Sequence, residues 1–490
     1  MTRFLSPGPR SSRPFASSIV LSRVPLALVV ALTLAGCVNL APDYHRPDPA
    51  VPRRAEAAVP VTTEAASLDW HAVFLDARLR GAVALALREN RDLRVAALQV
   101  EQARAAFRQT DAQRLPSIGG SATASRGGAA GQVTQQVSMQ LALSSYELDF
   151  FGRVRNLSES AQQALLGADE SRRSVRLTLV AETATAWLTW AADLERQRLA
   201  VQTLQSQERS LALTQRRHAA GAVSGLVLAQ AETAVQSARA DVAAYPATIA
   251  QDRNALELLL GAAVPAELEP RDADALATMS LLVEVPAGVP SSVLQRRPDV
   301  LAAERALIAR HADIGAARAA RFPSISLTAS AGTGSSALSG LFKSGSGNWN
   351  FGPSASLPIF DGGAREAAVR QAEAGRDIAL ATYDKTLQTA FREVADALAV
   401  RATLADRLAA QQALLASSER QLRLAETQYR VGSTTQLDLL DAQRSLVGAQ
   451  QALVTLRLSE QLNRITLYKV LGGGWREDAA DTAGPAAAAE

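Results

Sequence analysis

Arg114-Leu-Pro-Ser-Ile118 recurs 207 residues later as Arg321-Phe-Pro-Ser-Ile325, and this pair decides how the rest of the chain is read. Gly152 reappears as Gly363, Gly221 as Gly432, and Leu260-Gly261 as Leu471-Gly472, each 211 residues on. Leu226-Val-Leu228 likewise matches Leu437-Asp-Leu439. The offset rises by four between that landmark and Gly152/Gly363, which places one four-residue insertion in the strand segment of the second copy. Separated landmarks in constant register mark a tandem duplication, each copy reading short helix, two strands, long helix, turn, long helix.

The strand segments alternate with period two. In the first copy Val137, Met139, Leu141 and Leu143 oppose Ser138, Gln140, Ala142 and Ser144. In the second, Ile325, Leu327 and Ala329 oppose Ser324, Ser326, Thr328 and Ser330, and Trp349, Phe351 and Leu357 oppose Asn350, Gly352, Ser354 and Ser356. Apolar residues on one face and small polar residues on the other, over roughly ten positions, are the pattern of a membrane β-barrel strand. A soluble sheet with one wet face is the other reading this pattern allows. The strands are expected at about 116–144 and 322–357, with a bulge at Pro353, since proline donates nothing to a ladder. Four strands cannot close a membrane barrel, which needs about eight, and open edges are not tolerated in lipid. A membrane location therefore requires a barrel shared between copies of the chain.

The helical segments are unusually long. No proline interrupts Gly152 to Ala220 or Gly363 to Arg430, and each stretch would extend about 100 Å at 1.5 Å per residue. Such lengths need lateral support, and Leu387, Val394, Leu408, Leu415, Leu422 and Tyr429 supply it in steps of seven, interrupted at Arg401. Gly221 and Gly432 fall where each helix must reverse, the place for a left-handed C-terminal cap.

Composition narrows the function. The 490 residues are 48% hydrophobic but only 4% aromatic, the vocabulary of long helices. The formal charge is +3, yet the first 36 residues hold Arg3, Arg10, Arg13 and Arg23 and no acid, leaving 47 basic against 48 acidic residues beyond them. That balance gives no case for nucleic-acid binding. One cysteine rules out a disulfide framework, and His45, His71, His218 and His311 are too scattered for a metal cage. Neither a nucleophile elbow nor a phosphate loop is present, so no catalytic, cofactor or metal residues are assigned.

The sole cysteine instead closes the leader. An apolar run from Val24 to Leu34 is too short to span a bilayer and reads as a signal-peptide core, followed by Ala35-Gly36-Cys37. Leu34-Ala-Gly-Cys37 resembles the lipobox of bacterial lipoproteins, which implies acylation at Cys37. Val38, in place of an inner-membrane-retaining Asp, favours the outer membrane.

Several further motifs stand in order. Cys37-Val-Asn-Leu-Ala-Pro-Asp-Tyr-His-Arg-Pro47, Trp70-His-Ala-Val-Phe74 with Asn90-Arg-Asp-Leu93, and Tyr146-Glu-Leu-Asp-Phe-Phe-Gly-Arg153 come first. Arg296-Arg-Pro-Asp-Val300 with Glu304, Leu357-Pro-Ile-Phe-Asp-Gly-Gly363, and Tyr429-Arg-Val-Gly432 with Leu437-Asp-Leu-Leu-Asp441 follow. In this order they resemble the TolC-like outer-membrane efflux proteins, in the lipoprotein branch called the NodT family. The resemblance runs from Cys37 to about Gly474.

The resemblance implies an α+β membrane protein: a homotrimer whose four strands per chain build a twelve-stranded barrel in the outer membrane, above a helical periplasmic tunnel. It implies passive export of substrates delivered by an inner-membrane pump through a periplasmic adaptor, with no cofactor. The expected organisation is a signal peptide at 1–36, an extended segment at 37–69 and a first repeat at 70–261, with its hairpin at about 152–261. An equatorial linker at 262–295 and a second repeat at 296–474, with its hairpin at about 363–471, precede a flexible tail at 475–490. Family members ring the periplasmic aperture with acids of the second hairpin tip, which map here onto Asp438 and Asp441; the first repeat has Val227 and Gln230 at the equivalent positions. Some relatives brace the closed tip with an arginine where this chain has Thr434, so that latch has no counterpart here. The tips that would meet the adaptor carry Gly221, Tyr429 and Gly432. Two other readings compete, a periplasmic adaptor and a structural coiled-coil lipoprotein, but neither calls for two hairpins and four amphipathic strands.

Overall fold

The computed structural model describes residues 38–48, 70–129, 131–271 and 294–473. Cys37 and its leader, most of the expected linker and the C-terminal tail lie outside the described residues. After a single helical turn at Trp70–Val73, α1 (Ala77–Glu89) starts on Asp76, whose carboxylate accepts the amides of Arg78 and Leu79. Asn90 ends α1 and caps α2 (Arg91–Asp111) by accepting the Leu93 amide at 2.8 Å. It also donates to the Leu259 carbonyl at 2.9 Å, which fixes this corner against the end of a distant helix.

Two helical hairpins carry most of the chain. The first pairs α3 (Arg153–Ala219, 67 residues) with α4 (Gly225–Leu260). The second pairs α6 (Ala364–Val431, 68 residues) with α7 (Gln436–Val470), and α5 (Pro298–Ala319) packs against both α3 and α6. At 1.5 Å per residue α3 and α6 each reach about 100 Å. The duplication is visible in the backbone itself. Gly152 and Gly363 are left-handed, as are Gly221 and Gly432, and Gly261 and Gly472. At Gly261 glycine is compulsory twice over, because a Cβ there would also stand 2.5 Å from the Glu89 carbonyl oxygen.

Strands β1 (Ile118–Ala129), β2 (Gln132–Leu148), β3 (Ser324–Ser335) and β4 (Gly347–Ser356) form one antiparallel sheet in the order β1-β2-β3-β4. The two repeats are thus joined along the β2–β3 ladder. Register sorts the side chains cleanly. The rung Gly120–Leu141–Ala331–Trp349 and the rung Leu143–Ala329–Phe351 lie on one face. The rung Ser121–Gln140–Gly332–Asn348 lies on the other. Trp349 and Phe351 are 81% and 62% exposed within the single chain.

Two expectations about the strands need correction. β2 runs past position 144 to Leu148 because a one-residue bulge lies between Leu143 and Tyr146, with Ser145 at φ +48°. The extra residue keeps Tyr146 and Leu148 on the apolar face, which a strict period of two cannot express. Pro353, by contrast, makes no bulge: it pairs in regular register with Leu327. It is tolerated because β4 is an edge strand, where a missing donor breaks no ladder within the chain.

The main core gathers α1, the middle of α3, the C-terminal end of α4 and the second half of α7. Trp70, Phe74, Leu79, Trp187, Leu188, Leu256, Leu260, Val454 and Tyr468 cluster there. The Trp187 indole donates to the Leu268 carbonyl at 2.8 Å. Buried Arg297 ties three helices together, pairing with Asp299 (2.7 Å) and Glu393 (2.8 Å) and donating to the Val470 carbonyl (3.1 Å). The sevens predicted along α6 are buried at Leu387, Val394 and Tyr429 and half-buried at Leu408, Leu415 and Leu422. The middle of that stripe is therefore only partly covered within one chain.

Between α3 and α4, buried Asp193 pairs with Arg196 at 2.6 Å, and Arg196 reaches Thr455 of α7 at 3.0 Å. Burial, and then the neighbouring Asp193 carboxylate, push the Asp252 carboxyl up to about 6 from its ordinary 3.8. A raised folded-state value means that the native state holds this proton more tightly than the unfolded chain. The resulting stabilisation is complete below pH about 4 and lost as pH rises through about 6. Asp252→Asn should therefore melt at a higher temperature than the native protein at pH 7.5 and match it at pH 4.5, measured by circular dichroism.

Candidate functional site

The predicted site residues fall at the two hairpin tips. Each reversal is built the same way. In the first, the Ala222 amide donates to the Arg217 carbonyl (2.8 Å) and the Gly221 amide to His218 (2.9 Å). In the second, Ser433 donates to Gln428 (2.9 Å) and Gly432 to Tyr429 (3.1 Å). These paired bonds require a left-handed residue after the helix, which Gly221 (φ +73°) and Gly432 (φ +84°) supply. Both glycines are exposed, and a Cβ on either would meet open space.

Beyond the turn, Ser224 caps α4, accepting the Val227 amide. Thr435 caps α7 in a reciprocal box, accepting the Asp438 amide at 3.2 Å while Asp438 Oδ2 accepts the Thr435 amide at 3.0 Å. The Thr434 hydroxyl also donates to Asp438, at 2.8 Å. The hydroxyls of Thr435 and then Thr434 hold the Asp438 carboxyl below the usual carboxylate range, so it is ionised at neutral pH. Asp438 thus serves the helix start as well as presenting charge. Asp441 lies one turn further along α7, also exposed. Among the described residues neither acid has a cationic partner.

Tyr429 differs from the expectation of an exposed tip. Its ring is only 4% exposed and packs with Ala425, Leu439 and Ala442. The Arg217 guanidinium lies over that ring, 4.5 Å from its centroid. The same guanidinium donates to the carbonyls of Tyr429 and Arg430, both at 2.9 Å. Arg217 therefore clamps the C-terminal end of α6 from the first hairpin, satisfying the Arg430 carbonyl and adding a second donor to that of Tyr429. The sequence offered a weak signal for it, a run of basic residues closing α3. His218, at the place matching Tyr429, instead contacts the Val223 carbonyl at 3.0 Å.

At the other end of the helices, the motifs noted in the sequence become contacts. Glu147 and Arg153 pair across the β2–α3 junction, and Asp149 accepts the Arg155 amide at 2.7 Å. Phe151 stacks on Phe322 at 4.7 Å, joining the two repeats beneath the sheet. Residues 38–48 form a strap along α5. Asn39 accepts from Asn156 at 2.9 Å. Further along the strap, Arg46 forks onto buried Glu304 with two bonds of 2.7 Å, and the Tyr44 hydroxyl donates to Glu304 at 2.9 Å. Gly315 makes room for the strap, since a Cβ there would fall 2.7 Å from the Ala41 Cβ. Among the described residues there is no cluster of three or more potential metal ligands, and no helix is long and apolar enough to cross a membrane. Arg217→Ala should loosen the tips by about 1–2 kcal/mol, read as faster amide exchange over 425–435 with unchanged protection in the core.

The family profile described as Outer membrane efflux protein matches residues 82–262 and 289–473. The chain is 44% identical over 465 residues to the probable efflux pump outer membrane protein TtgC of Pseudomonas putida, covering 92% of this chain and 95% of that protein. It is 40% identical to the cation efflux system protein CusC of Escherichia coli, covering 92% of this chain and 99% of that one. A CusC crystal structure superposes with a TM-score of 0.82 at 39% identity, over 89% of this chain and all of that one. The open state of the MtrE outer membrane channel of Neisseria gonorrhoeae gives 0.81 at 37% identity, over 89% and 98%. The long helices, the four-stranded sheet and these relatives agree: the chain belongs to the outer membrane efflux protein family, as the non-enzymatic outer-membrane channel component of a tripartite efflux system.

Proposed function

We propose that three copies of the chain assemble into one export duct, a twelve-stranded barrel in the outer membrane continued by a helical tunnel into the periplasm. The observation that carries this reading is the sheet: it has an apolar face, a small-polar face and two open edges, β1 and β4. In lipid those edges need partners, and pairing β4 of one copy with β1 of the next supplies them. The half-buried stripe on α6 supports lateral packing between copies in the same way. The duct is passive: an inner-membrane pump supplies the energy, and a periplasmic adaptor links the pump to the tips around Gly221, Tyr429 and Gly432. Tyr429 contributes there by holding the turn, since its ring faces inward. The repeats at 70–261 and 296–474 are the structural units, with the 262–295 linker forming an equatorial belt. The two separate profile matches support that division.

Cys37 is the lipidated first residue of the mature chain, as in the NodT-type lipoprotein branch. Strap residues Val38 and Asn39, next to it, sit against Gly152 at the junction of sheet and helices, a place suited to an anchor at the inner leaflet. Cys37→Ser should leave the precursor uncleaved and unlabelled by radioactive palmitate, whereas normal labelling excludes this site.

Asp438 and Asp441 form the periplasmic gate. In a trimer they make two rings of three carboxylates, a cation-selective constriction. Their exposure and lack of cationic partners support this, as does the ionised state of Asp438. Planar-bilayer recording on the detergent-extracted oligomer, with its mass determined on the same sample, tests the whole reading. A conducting trimer is expected, and Asp438→Ala with Asp441→Ala should raise its conductance and bring its cation preference toward unity. A monomer, or an oligomer that never conducts, overturns the duct; unchanged currents in the double variant remove the gate.

A further inference from the structure

Between Ile118 and Tyr146 and between Ser324 and Ser356, the chain has two charged side chains, Arg126 and Lys343. Both are basic, and both lie at the end of the sheet away from the helices. Arg126 is five residues before Gly131 of the β1–β2 turn, and Lys343 is in the connection between β3 and β4. Register fixes the face on which Arg126 stands. It pairs with Gln135, two residues from the Ala124–Val137 rung, and Val137, Met139 and Leu141 line the apolar face. Arg126 is therefore on the apolar side of the sheet, not the polar side.

Its height follows from the same rungs. From Ile325, paired with Leu148, to Ser335, paired with Val137, β3 advances ten residues. At about 3.3 Å per residue this is roughly 33 Å along the strand, or about 25 Å of membrane normal at a tilt near 40°, the height of a barrel's apolar band. Arg126 projects two residues, about 7 Å of strand, beyond the end of that band. Lys343 stands in the same connection as Phe342 and Leu338, 78% and 71% exposed, and Ser346 pins that connection by donating to the Leu341 carbonyl. Among the described residues neither Arg126 nor Lys343 has an acidic partner. An arginine just above an apolar band, and a lysine between apolar side chains, match a surface where acyl chains give way to anionic headgroups.

We propose that this outward rim, Arg126 together with the 338–343 connection, binds the phosphate groups of the phosphorylated glycolipid of the outer leaflet. The proposal rests on the barrel reading above: in a shared barrel, β4 of one copy lies beside β1 of the next, which brings the Lys343 connection alongside the neighbouring Arg126 edge. Phosphate is the favoured partner because the rim presents only cations and because a guanidinium binds phosphate with two parallel bonds.

The test uses the full-length protein extracted in detergent, titrated with bisphosphorylated lipid A, dephosphorylated lipid A and phosphatidylglycerol, with bound lipid counted by native mass spectrometry. Arg126→Gln should weaken bisphosphorylated lipid A binding about fivefold, and Arg126→Gln with Lys343→Gln roughly thirtyfold. Arg126→Lys, which keeps the charge but not the paired bonds, should fall between the native protein and Arg126→Gln, and dephosphorylated lipid A should bind the native protein no better than it binds the double variant. Equal affinity of native and doubly substituted protein for bisphosphorylated lipid A overturns the proposal. Phosphatidylglycerol bound as tightly, with the same loss on substitution, overturns the assignment to a glycolipid. Oligomer mass and bilayer current are recorded on every variant. A native protein that never conducts fails the barrel reading, whereas normal current with unchanged lipid A binding fails this proposal alone.

Discussion

Backbone hydrogen bonding at the two edges of the sheet is the constraint on which the rest of the molecule turns. Four strands make three ladders, so β1 and β4 each carry an unpaired row of amides and carbonyls. In water such edges are satisfied by solvent; in the outer membrane, where this family works, nothing in the hydrocarbon can replace it. In the proposed trimer, closure between copies meets that demand without lengthening the chain. It also accounts for the apolar face that leaves Trp349 and Phe351 uncovered.

Below the sheet, the difficulty is to hold two hairpins of about 100 Å in one arrangement. Propensity alone does not do this, and the contacts that do are few and specific. Arg297 joins α5, α6 and α7 at one end, Arg217 joins the two tips at the other, and Glu304 secures the N-terminal strap to α5. Each is an arginine bound to a carboxylate or to helix-end carbonyls, a geometry in which a planar donor fork satisfies several acceptors at once. Between them the helices touch mainly through small and aliphatic side chains, and the stripe at Leu408, Leu415 and Leu422 on α6 stays only partly covered within the chain.

Much of this was legible in the sequence, for identifiable reasons. The duplication, the strand alternation and the long proline-free helices are periodic signals, and periodicity survives without knowledge of neighbours. The helix reversals at Gly221 and Gly432 were legible because a left-handed position selects glycine. The bulge at Ser145 was not, since one extra residue breaks the very alternation used to find the strand. Asp438 was legible as a tip acid, but its bonds to Thr434 and Thr435 depend on the exact start of α7. Tyr429 stood in the motif, yet nothing local to it distinguishes a ring presented to a partner from one packed under an arginine 212 positions away.

The sequence by itself determined the repeat, the two periods, the reversals and hence the kind of architecture, because each of these is written in local spacing or in the backbone preference of a single residue. The tertiary structure decided which distant side chains meet: Arg217 with Tyr429, Arg46 with Glu304, Arg297 with Glu393, and β2 with β3 across the repeat boundary. Those pairings depend on how long helices and strands align in space, and a long arginine side chain looks the same in sequence whether it ends in solvent or on a partner two hundred residues away.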